Sequence, residues 1–169
     1  MLVGAGSGQV VLLFPMLSLE WRMRRTGGPG IIGFELAGTP KRARQIMQAW
    51  GPEGCSAARA SLLLDYPYLV TYCGLNATIC AIAADALRHR GSRRLADVGR
   101  AVSVAQWVAG GFDAVENAAL LAVLRGRTGR LPGVAATCAY AKFALIGLGW
   151  TYAGIGLIAH LRCLPQRSR

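Results

Sequence analysis

The stretch 101–124, AVSVAQWVAGGFDAVENAALLAVL, constrains the chain more than any other. It is long enough to cross a bilayer as a helix, which takes about 20 predominantly apolar residues. Yet Asp113, Glu116 and Asn117 stand in its middle. Ionisable groups at membrane depth are costly, so they face a bundle interior and mark either function or assembly. At helical spacing Gln106, Gly110, Asp113 and Asn117 share one stripe, with Glu116 beside it. Gly110, Ala114, Ala118 and Ala122 recur every four residues, the small-residue pattern of tight helix contact. The two stripes adjoin, which predicts a seam helix whose polar face looks onto other helices.

Three further apolar runs give it neighbours. Residues 61–87 hold Asp65, Tyr68, Tyr72 and Asn76 at i, i+3, i+7 and i+11, again one face. Residues 134–161 carry Lys142, and residues 2–19 carry no charge. The first run competes with a secretory signal peptide. It lacks a basic leader, and Met16-Leu17-Ser18-Leu19 is a poor cleavage context, so it reads as a span. Its opening VGAGSG offers no dinucleotide-binding pattern, because Gln9 stands where the third glycine belongs. The expected fold is an all-α, integral membrane four-helix bundle forming one domain over 1–169, with spans near 2–19, 61–87, 101–124 and 134–161.

Between the first two spans lies the most soluble part. Arg22, Arg24 and Arg25 precede the breaker cluster TGGPG. Ile31–Ala37 is a short apolar piece containing Glu35, too short to span. Thr39 then reads as an N-cap with Pro40 in the first helical position, and the helix should stop at Gly51-Pro52. Ala43, Ile46, Met47 and Trp50 fall on one face, and Lys41, Arg42, Arg44 and Gln48 on the other. This predicts a short amphipathic helix over 40–50 lying in the membrane interface, or else a cap packed over the bundle end. Both place Trp50 at headgroup depth.

Composition agrees with a membrane protein. Of 169 residues 53% are hydrophobic and 16% charged, against roughly 25% charged in a soluble domain. The net charge of +11 does not point to nucleic acid, since the arginines cluster between apolar runs, next to anionic lipid headgroups. Ten lysines and arginines flank one side (20–59 and 125–132) and eight the other (88–100 and the tail), so charge does not set orientation. Cys55, Cys73, Cys80, Cys138 and Cys163 show no ligand spacing, and their odd number argues against a closed disulfide framework. No metal site, cofactor motif or nucleophile–base pair is recognisable. The richness in Ala, Arg and Gly suggests a bacterial chain, hence a multi-pass protein of the inner membrane.

The chain resembles small bacterial four-span membrane proteins with a carboxylate–aromatic motif in one span and an acidic–amide motif in another. Here these are LLLDYPYLVTYCGL at 62–75 and GFDAVENAALL at 111–121, with FELAGT at 34–39 and Lys142 within YAKFAL. The resemblance covers most of the chain after Ile31 and implies a fold without a mechanism. The small multidrug exporters share size and an embedded acid, but carry that acid in the first span, which here has none before Glu20.

The expected site is a buried polar cluster of Asp65, Tyr68, Tyr72, Gln106, Asp113, Glu116, Asn117 and Lys142, with no catalytic set. Lys142 paired with Asp113 or Glu116 would lower the cost of burying both charges. Three functions compete. The cluster forms a pocket for a small solute or a proton, within a protein whose partner is the bilayer. It merely fixes helix packing. Or it shuttles protons in an intramembrane enzyme acting on a lipid. Neutral amides would fix packing with less desolvation, which favours the pocket as the account of the charged members.

Overall fold

The structure, a computed structural model, describes residues 2–161, with side-chain surroundings for 10–159. The tail bearing Arg162, Cys163, Arg167 and Arg169, and the side chains of the VGAGSG segment, lie outside the described residues. The elements are α1 (Leu2–Arg25), α2 (Ile31–Glu35), α3 (Pro40–His89), α4 (Arg93–Leu124) and α5 (Leu131–Leu161), with no strand among the described residues.

Three helices, α3, α4 and α5, are long and apolar enough to cross a membrane. They mark the chain as a multi-pass membrane protein. α4 packs between α3 and α5, while α1 lies along α3. Arg44 Nη1 donates to Thr128 Oγ1 at 3.2 Å, so the start of α3 and the α4–α5 turn share one end of the molecule. Arg88 pairs with Asp97 at 3.1 Å across the α3–α4 turn at the other end.

Thr39 caps α3 by accepting from the Arg42 N–H at 3.2 Å, and Pro40 follows at the first helical position. The expected stop at Gly51 proves to be a kink. Gly51 takes φ +60° and ψ −166°, after which helix resumes from Pro52 to His89. Side chains other than hydrogen rarely adopt that backbone, so glycine allows the change of direction. The kink tilts segment 40–50 away from the axis of 52–89.

Segment 40–50 uses its apolar face within the protein. Ala43, Ile46 and Trp50 are buried in a core with Met23, Phe34, Leu62, Leu120, Val123 and Ala135. Trp50 is only 1% exposed, so its ring packs against protein and not against lipid. Its ring lies 5.0 Å from that of Phe34, and Nε1 donates to the Pro29 carbonyl at 2.7 Å. These two contacts hold α2 against the start of α3.

The seam on α4 also differs from expectation. Gly110 is buried, and a side chain there would meet Cys73 Sγ on α3. Ala114 and Ala122 are half-buried, however, and Ala118 is exposed. The buried arc of α4 is centred on Gln106, Ala109, Asp113, Glu116 and Leu120, because neighbours stand on two sides. At about 100° per residue Ala118 points roughly 140° away from Asp113. Small residues do serve the seam higher up, where Gly99 faces Ala84 and Tyr152, and Ser103 donates to the Ala77 carbonyl at 2.8 Å.

Candidate functional site

α4 and α5 are antiparallel neighbours. Asp113 lies eleven residues before Leu124, and Lys142 eleven after Leu131. Equal offsets from one turn bring them to one level, about 16 Å along the helices from that turn. Lys142 Nζ donates to Asp113 Oδ1 at 2.9 Å. It also stands 2.9 Å from Glu116 Oε2 and 3.6 Å from Glu35 Oε2. One buried ammonium thus faces three carboxyls.

The other Asp113 oxygen, Oδ2, accepts from the Tyr72 hydroxyl at 2.8 Å. Asn117 Nδ2 donates to Asp65 Oδ2 at 2.7 Å, which ties α4 to α3 a turn away. The i, i+3, i+4 spacing of Asp113, Glu116 and Asn117 is what lets one face of α4 address both neighbours. Tyr68 packs its ring 5.8 Å from that of Tyr72. Glu116 is fully buried, and its Oε1 has no hydrogen-bond partner among the described residues, nor has Asn117 Oδ1. Oε2 of Glu116 meets Lys142 as an ion pair at an angle poor for a hydrogen bond.

Beside the cluster lies an open cavity of about 320 Å³. Glu35, Asp65, Asp113 and Lys142 supply its charged wall, with Tyr68, Tyr72 and Asn76 on the α3 side. Ile32, Phe143, Ile146 and Trp150 supply the apolar wall, and Ile32, Phe143 and Trp150 are exposed. The cavity opens on the side where these exposed apolar residues stand. Glu116 and Asn117 stand behind Lys142 and Asp65 and do not line it.

Of the residues expected in the cluster, seven gather here. Gln106 is the exception: it is buried two turns away and does not line the cavity. Its Nε2 donates to the Leu145 carbonyl of α5 at 3.0 Å and to the Val102 carbonyl at 3.3 Å. A side chain at Gly149 would collide with it. Gln106 is therefore a clamp between backbones.

Glu35 is the member that sequence reasoning left out. α2 is too short to span, and that judgement hid its role as a five-residue plug that inserts an acid from the bundle end. The available signal was a lone carboxylate inside an otherwise apolar IIGFELA. Burial pushes the Glu35 carboxyl above its ordinary range, against the opposing pull of Lys142.

No family model, curated protein or solved structure matches the chain. Function must therefore be argued from the site alone.

Proposed function

We propose that the chain is a four-span protein of a bacterial inner membrane whose acidic cavity binds a small cationic solute or a proton. In this reading α1 is the fourth span. Val10, Val11, Leu13, Phe14, Leu17 and Trp21 are exposed along it and would meet lipid. Segment 40–50 sits at headgroup level, turning Lys41, Arg42 and Arg44 outward and its apolar face into the core.

The observation that carries the reading is the balance of charge around the cavity. Glu35, Asp113 and Glu116 face the Lys142 ammonium at 2.9–3.6 Å, and Asp65 adds a fourth carboxyl on the cavity wall, with no second ammonium there among the described residues. Desolvated charge of one sign is expensive unless it is offset. Protons or a bound cation supply the offset, and the cavity gives either a place to enter beside Asp65 and Asp113.

A second reading, in which the cluster only locks the helices, has its own support. Both oxygens of Asp113 are already engaged, by Lys142 and Tyr72. Asp113→Asn separates the two. The substitution keeps the shape and removes the charge. In nanodiscs holding equal amounts of folded protein, ethylammonium binding should weaken at least about tenfold, or ~1.4 kcal/mol. Unchanged binding by a folded variant removes Asp113 from the solute site. Failure of the variant to accumulate, with no saturable ethylammonium binding by the wild type, favours the locking role.

A further inference from the structure

The acid cavity does not end at Trp150. A second hollow of about 400 Å³ lies beyond it along α3 and α5, and Trp150 lines both. Its walls are Ile79, Ile82, Ala83, Ala86, Ala153, Gly154, Gly156 and Leu157, with no charged group among them. Small residues on α5 make this groove. A side chain at Gly154 would meet nothing within 4 Å, whereas one at Gly156 would strike Ala83. Asn76, Ile79, Trp150 and Ala153 line a crevice between the two spaces that is too tight for water, so a chain joining them would run over the exposed ring of Trp150.

An apolar groove facing a bilayer would by itself hold only ordinary lipid chains. Here it begins where a cavity rich in carboxyls ends. From Lys142 to Leu157 the pair runs about 22 Å along α5. We infer that the site takes a long-chain amine: an amphiphile whose ammonium head lies among Glu35, Asp65 and Asp113, and whose alkyl tail crosses Trp150 into the groove. The inference rests on the proposed cation site and adds the tail. Charge complementarity selects the amine head over an alcohol or an anionic head, since the wall already holds more acid than Lys142 can offset. Trp150, 59% exposed, forms the sill between head and tail.

The test uses dodecylammonium carrying a diazirine at the chain end, photolysed with the full-length protein in nanodiscs, and adducts mapped by mass spectrometry. Adducts should concentrate on Ile79 and Ala153, since Ala153 lies about 16 Å from Lys142 along α5, the reach of an extended twelve-carbon chain. Excess dodecylammonium should compete them away, and dodecanol should not. Gly154→Phe, which fills the groove from an unobstructed position, should cut these adducts at least tenfold while ethylammonium binding stays within twofold of wild type. Adducts spread evenly over lipid-facing residues such as Val104 and Val115 overturn the tail assignment, and saturable ethylammonium binding in the same preparation leaves the cation site standing. Competition by dodecanol equal to that by the amine overturns the choice of head. Scattered adducts together with no ethylammonium binding overturn both readings.

Discussion

Replacing Lys142 with Met should unfold the bundle or come close to it. Lys142 is 5% exposed and, among the described residues, is the sole cation within reach of Glu35, Asp113 and Glu116. Methionine fills similar space, so packing changes little. What changes is charge, because three carboxyls then face one another without a counter-ion. Removing one partner of a buried ion pair costs roughly 3–5 kcal/mol. Neutral polar contacts between membrane helices contribute only about 0.6–2 kcal/mol, so the ionic effect should dominate any loss of hydrogen bonding. The thermal midpoint of the purified protein in detergent should fall sharply, and the yield with it. Adding Asp113→Asn and Glu116→Gln to Lys142→Met should restore most of the loss, since Glu35 then has no charged neighbour at that level and one proton neutralises it. If the single variant is as stable as wild type, the carboxyls do not depend on Lys142 for their burial.

Trp50→Ala should have an effect of similar size from a different cause. Trp50 joins α1, α2 and α3 in one core with Met23, Phe34 and Leu120. Truncating a buried tryptophan costs roughly 3–5 kcal/mol through lost transfer energy and the cavity left behind. It also removes the Nε1 bond to the Pro29 carbonyl, which fixes the entry to α2. The loop Thr26–Gly30 and α2 should then loosen before the spans do. Trypsin cleavage after Arg25 should rise at temperatures where α4 and α5 remain protected. Trp50→Phe keeps most of the apolar area and loses one hydrogen bond, so it should cost only about 1 kcal/mol. Equal cleavage in Trp50→Ala and wild type would show that α2 is held by other contacts.

Much of this architecture can be read from local pattern. The long apolar runs become α3, α4 and α5, and Thr39-Pro40 starts a helix because the cap needs only the residues around it. The spacing of Asp113, Glu116 and Asn117 places them on one face wherever α4 lies. What local pattern does not carry is the choice of neighbour. Gln106 shares the stripe of Asp113, yet two turns of rise take it past the cavity to the backbone of α5. Trp50 has the spacing of an interfacial residue, and the kink at Gly51 with the return of α2 turns that face inward. Glu35 sits in a helix of five residues, too short for any periodicity to declare its burial. Its role depends on a contact more than one hundred residues along the chain, with Lys142.

The carboxyls beside Lys142 are proposed to form a membrane-embedded site for a cation. Equilibrium dialysis of labelled ethylammonium against wild-type protein in nanodiscs tests it most directly. Saturable uptake above that of empty nanodiscs is expected, at one site per chain, with added acid displacing the ligand as protons take its place. Uptake that rises linearly with concentration and matches empty nanodiscs would contradict it.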